Sequence, residues 1–249
     1  MKIVSKLIVS MFVFCLLVGC GNTAKQKEAK FDSEEDQIQY VNVFKDIDKD
    51  SLEKIDISSY FKINISDVES LRDDVSNVFI GTVDSILGTS TTIGVGRFGS
   101  PKTYGNITVL QNLKGEITES VITYARPGGI ISVADYEKDA PEIFVKNMEE
   151  KRIADGTPEI DKENTYLEFK FEHDIEFEVG KTYMFFARKS NVDDVYTIDG
   201  LQYGTREIKQ EKSNLNSFRV LPSETSLLLK NNDTQEYESL NGFLERYFK

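Results

Sequence analysis

From Thr165 to Val179 the chain changes chemistry at almost every step. Leu167, Phe169, Phe171, Ile175, Phe177 and Val179 share one parity; Tyr166, Glu168, Lys170, Glu172, Asp174, Glu176 and Glu178 share the other. A period of two is the repeat of an extended strand with one buried face. A helix, at 3.6 residues per turn, would scatter these apolar side chains around its circumference. The segment therefore reads as a half-buried strand, or as a hairpin bending near His173-Asp174, and it commits the chain to a β-rich fold.

Further strands follow the same logic. Asn77 to Leu87 (NVFIGTVDSIL) is the first, and Tyr104 to Leu113 the second, turned by Lys114-Gly115-Glu116. Ser120 to Ala125 is the third, stopped by Pro127-Gly128-Gly129. Thr182 to Arg188 (TYMFFAR) is apolar on both faces, the pattern of a central strand, and Val195 to Ile198 and Leu201 to Ile208 add two more. Ser66-Asp67-Val68-Glu69 has capping-box spacing and opens a short helix to about Val75. Asp139-Ala140-Pro141 opens another, running to about Ile153. Ser239 caps an amphipathic C-terminal helix carrying Leu240, Phe243, Leu244, Tyr247 and Phe248. Residues 38–65 and 211–238 receive no assignment. The pattern predicts a mainly β (α+β) fold: a small closed barrel of five or more strands, with an inserted helix and a C-terminal helix.

The run VFIGTVDSI, ITVLQNLKG, VITYARPGG and FEVGKTYMFFA resembles the strand order of OB barrels of the netrin/tissue-inhibitor-of-metalloproteinase type. It is also similar to uncharacterised exported proteins of Gram-positive bacteria with comparable strands. The resemblance covers residues 77–188 and implies a fold, not a catalytic activity. Inhibitors of that type chelate zinc through a free N-terminal Cys and carry several disulfides. This chain has two Cys in all, Cys15 and Cys20, so that chemistry is not implied here.

The N-terminus reads as an address. Lys2 and Lys6 precede a twelve-residue apolar run from Leu7 to Val18, short of the roughly twenty residues that span a bilayer. The run ends in Leu17-Val18-Gly19-Cys20, which resembles the lipobox of bacterial lipoproteins. The resemblance implies that residues 1–19 are a signal peptide removed in maturation and that Cys20 receives a diacylglyceryl group, with further acylation such as palmitate on its new amine. Removal takes away two Lys and no acid, moving the formal charge from −12 to −14. Residues 20–37 are then the lipidated Cys and a flexible polar tether, and residues 38–249 one β-rich extracytoplasmic domain with helical additions. The expected location is the cell membrane, lipid-anchored and facing outside the cytoplasm, and two or more acyl chains suffice to hold it there.

An excess of acids over bases argues against nucleic acid as a partner, because phosphate binding draws on clustered Lys and Arg. One His, no Trp and two Cys leave no His/Cys zinc set and little His-based catalysis. Gly94-Val95-Gly96-Arg97-Phe98-Gly99 matches a dinucleotide pattern, but Ser100-Pro101 and a strand follow where the pyrophosphate needs a helix N-terminus. Asp46, Asp48 and Asp50 have the early spacing of a calcium loop, but Ser51 and Ile57 stand where an EF-hand needs Gly and Glu. Glu172, Asp174, Glu176 and Glu178 line one strand face and read as a solvated surface. His173 lies on the apolar parity and reads as a packing or turn residue. Tyr124, Arg126 and Tyr203 lie near loops and form a candidate ligand face.

These readings name no catalytic residue, metal ligand or cofactor. They point to a non-enzymatic binding module for a surface protein or glycan. The alternative is an envelope-acting hydrolase using Asp or Glu carboxylates. A solute-binding lipoprotein fits less well, because repeated strand–helix units are not seen. Cys20→Ser should abolish fatty-acid labelling in the native cell and misprocess or release the protein; undiminished labelling would sink the lipobox reading.

Overall fold

Asn77–Ser90 is a strand whose first ten positions are all buried. Burial on both parities requires partners along both edges and cover on both faces. The computed structural model describes residues 40–58, 60–156, 159–172, 174–212, 215–222 and 226–249. The expected leader and tether, Cys20 and His173 lie outside them.

In chain order the strands are β1 (Val41–Asn42), β2 (Glu53–Ile57), β3 (Asn77–Ser90), β4 (Lys102–Lys114), β5 (Val121–Pro127), β6 (Gly129–Ser132), β7 (Tyr166–Phe171), β8 (Thr182–Lys189), β9 (Val195–Ile198), β10 (Thr205–Gln210), β11 (Leu227–Lys230) and β12 (Tyr237–Ser239). The helices are α1 (Val68–Asp74), α2 (Val133–Lys138), α3 (Glu142–Ala154) and α4 (Leu240–Tyr247). The described chain is thus mainly β, with a nine-stranded sheet in the order β1-β3-β4-β5-β9-β8-β10-β11-β12 and a separate three-stranded sheet, β2-β7-β6. Among the described residues no helix is long and apolar enough to cross a membrane.

A further pairing, β3 with β8, closes a ring of hydrogen bonds through β3, β4, β5, β9 and β8. All contacts in the ring are antiparallel except β5 with β9. Register shifts at four places between β3 and β4 let these long strands bend as the ring closes. Gly105 sits at one close approach: a Cβ there would fall 1.9 Å from the Ser85 carbonyl oxygen.

The ring wall separates two cores. Phe79, Val83, Ile107, Ile122, Tyr124, Tyr183, Phe185 and Ile198 pack together with Phe177 in one. Val78, Ile80, Met184, Phe186, Ile208 and Leu229 pack in the other, with Leu71 of α1 and Leu240 and Phe243 of α4. This explains TYMFFAR: one parity feeds each core, so β8 has no face left for polar side chains. A third cluster, with Ile131, Val133, Leu167 and Phe169, belongs to the three-stranded sheet and α2.

The expected helices form at α1, α3 and α4. Asp67, not Ser66, caps α1, accepting from the Glu69 amide, and Ser239 caps α4. Several assignments need correction. The alternating segment forms a strand only to Phe171, and residues 174–178 run on without strand pairing. Its apolar parity is buried at Leu167, Phe169, Phe171 and Phe177, yet Phe169 and Phe177 enter different cores. A period of two reports which side faces inward, and it cannot report that the chain leaves one sheet for another midway. Leu201–Tyr203 is a 3-10 turn, so the strand expected from Leu201 begins at Thr205. β2, β6, α2, β11 and β12 were not anticipated, being short or lacking a strong period.

Phe185 is fully buried, so Phe185→Ala should cost about 3–5 kcal/mol in urea unfolding. Ile153, 77% exposed on α3, should lose less than about 0.5 kcal/mol as Ile153→Ala.

Candidate functional site

The sequence Arg126-Pro127-Gly128-Gly129 ends β5. Gly128 and Gly129 take φ of 84° and 134°, left-handed backbone that an L side chain resists. This turn carries the chain out of the five-strand ring and into β6 of the three-stranded sheet. A cavity of 350 Å³ lies where the two sheets part. Ile86, Thr103 and Arg126 line it from the ring, and Ile130 and Glu168 to Phe171 from the smaller sheet. Asp174 to Phe177 and the segment bearing Asn42, Phe44, Lys45 and Lys49 complete the wall.

Arg126 dominates this cavity. Its side chain is only 10% exposed and pairs through Nη2 with Asp174, whose side chain is 7% exposed. The guanidinium carbon stands 4.4 Å from the centre of the Phe177 ring, a cation–π contact. Asp174 Oδ1 also accepts the Ile175 amide at 2.9 Å. Arg126 Nε is buried and has no hydrogen-bond partner. Burial pushes the Asp174 carboxyl above the ordinary aspartate range, although Arg126 and the Ile175 amide pull it down. At the mouth Lys49 pairs with Glu176 at 2.8 Å, both side chains largely exposed; such a pair contributes at most about 1 kcal/mol. Lys45, Lys49, Lys170 and Arg126 outnumber Glu168, Asp174 and Glu176 by one, in a chain whose formal charge is −12.

The candidate ligand face therefore does not assemble. Arg126 lines the cavity, but Tyr124 is fully buried inside the ring, its hydroxyl donating to the Ser85 carbonyl at 3.3 Å. Tyr203 packs against the core beneath α4. Nor do the four acids share one open face. Asp174 turns inward to Arg126, while Glu176 and Glu178 pair with Lys49 and Lys181. Gly94–Gly99 lies in the connection from β3 to β4, with no helix after it, and the Gly94 amide donates to Asp193. Asp48 caps a 3-10 turn at Lys49–Ser51 by accepting the Asp50 amide. Among the described residues no group of three or more His, Cys, Asp or Glu is placed to hold a metal ion.

Phe44, Lys45 and Phe177 escaped the sequence reading as site residues. They come from segments about 130 residues apart in the chain, and no local pattern announces their meeting. Compared with protein-family models, with curated proteins and with solved structures, the chain matches none.

The ion pair should be costly to break from either side. Arg126→Met strands a buried carboxylate, and Asp174→Asn strands a buried guanidinium that cannot shed its charge, so each should cost about 3–5 kcal/mol at neutral pH. A raised folded-state pKa means that the folded chain holds this proton more tightly than the unfolded chain. Stability of the unmodified protein relative to Asp174→Asn should thus rise as pH falls through the folded pKa. It should level off below about 4, where the unfolded carboxyl also protonates. Urea midpoints for both chains across pH 4–7 check this; a difference that shrinks on acidification contradicts it.

Proposed function

We propose that this protein is a lipid-anchored extracytoplasmic lipoprotein whose β-rich domain, an OB-like barrel, serves as a non-enzymatic binding module for a surface protein or glycan. The observation that carries the reading is the cavity at Arg126: a concave site in which aromatic and aliphatic side chains meet converging charged groups, a makeup that suits a ligand. The OB-like part is supported by the five-strand ring, its single parallel contact between β5 and β9, and the helices inserted between β5 and β8. The anchor is supported by the leader and the Leu17-Val18-Gly19-Cys20 motif. A tether of this length averages about 20–25 Å as a coil, enough to hold an acidic domain off an anionic membrane.

The test is photocrosslinking in the intact native cell, with the crosslinker at Lys45 beside the cavity or at Ile153 on α3. A discrete adduct from Lys45, absent from Ile153 and lost when Ile175→Trp fills the cavity, is the expected result. Identical adducts from both positions, indifferent to Ile175→Trp, would refute a cavity-based binding role.

A further inference from the structure

We propose that this cavity is a carboxylate pocket, taking an apolar group that bears one carboxylate and anchoring it on Arg126. The inference rests on the cavity being the binding site and names what it binds.

Three features converge. Six apolar or aromatic side chains gather in the wall, Phe44, Ile86, Phe169, Phe171, Ile175 and Phe177, which suits a hydrocarbon or aryl body. The polar end is Arg126, nine-tenths buried, with Nη2 committed to Asp174 and Nε unpartnered. Buried donors are almost always satisfied, and a planar guanidinium can hold a carboxylate by paired, parallel hydrogen bonds. Finally, the lining carries one more positive than negative charge, against the sign of the whole chain, so an anion is favoured locally over a cation. The volume of 350 Å³ lies at the small end of the range for ligand pockets, roughly 300–1,000 Å³. It admits one such group and not a chain of sugars.

Asp174 then acts as an internal stand-in. Its carboxylate occupies one edge of the guanidinium, and it opens residues 174–181, which belong to no strand. An incoming carboxylate shares or takes over that contact. The same chemistry is offered by a free small organic acid and by the C-terminal residue of a partner chain when that residue is apolar.

The test uses the full chain and three probes with one body: 4-phenylbutyrate, 4-phenylbutanamide and 4-phenylbutylamine, with calorimetry or saturation-transfer NMR as the readout. The acid should bind about tenfold or more tighter than the amide, and the amine more weakly than either. Asp174→Asn should strengthen binding of the acid severalfold by removing a competing carboxylate, which a merely structural role for Asp174 would not do. Arg126→Gln combined with Asp174→Asn leaves no buried charge of the pair. It should stay folded by circular dichroism and erase the preference for acid over amide. The leader is identical in every variant, so these contrasts report the cavity.

Acetyl-Ala-Ala-Phe and its C-terminal amide separate the two sources. Tighter binding by the free-acid peptide than by phenylbutyrate assigns a partner's C-terminus, and the reverse assigns a small acid. Equal binding of the three probes, no binding by any of them, preference for the amine, or a preference for acid that survives the double variant overturns the carboxylate inference. In each of those cases an adduct from Lys45 that Ile175→Trp removes would still stand, so the ligand class can fall without the binding role.

Discussion

Pairing of β3 along both edges is the constraint on which the rest of this structure depends. With β4 on one side and β8 on the other, Asn77–Ser90 closes the hydrogen-bonded ring and leaves its first ten residues no route to solvent. Alternate side chains must then fill cores on opposite sides of the wall. The polar positions obey the same constraint: the Thr82 and Thr182 hydroxyls meet at 2.7 Å, and Thr82 also donates to the Phe218 carbonyl at 2.6 Å. Each satisfies a group that would cost a kilocalorie or more if buried without a partner.

The second core extends this dependence to helices distant in the chain. Leu71 of α1 and Phe243 of α4 bury themselves on the outer face of β3 and β8, so helices far apart in sequence are held by one wall. Buried charge appears where the packing is interrupted. Asp84, Asp174 and Asp199 are each pushed up by burial and each faces an arginine: Arg219, Arg126 and Arg188 respectively. Burying a charge is tolerated when a partner goes with it. Of these pairs, Arg126 with Asp174 stands in the wall of a cavity beside a cluster of aromatic side chains, and Arg188 with Asp199 lines a second cavity.

Much of the architecture was legible before folding. The strands at 77, 104, 120, 182 and 195 follow from short apolar or alternating runs bounded by turn residues, and Ser239 announces α4 as its cap. What misled was the same rule applied too far. Leu167 to Val179 keeps its parity across a turn, so one run of alternation served two sheets, and Asp174 was read as solvated when it is among the most enclosed acids. Short strands such as β2 and β6 exist because β7 offers them an edge, not because their own residues demand extension.

By itself the sequence determined the β-rich class, the strong strands, the Ser239 cap of α4 and the chemical inventory: a single His, two Cys and an acid excess. Those are local or compositional properties, written in neighbouring residues. Only the tertiary structure decided that β3 meets β8, that Tyr124 is buried inside the ring, and that Arg126 and Asp174 pair at the edge of a cavity. Each of these joins residues from 39 to over 100 positions apart. Spacing along a chain carries no information about such meetings until hydrophobic burial and strand pairing have closed the loops between them.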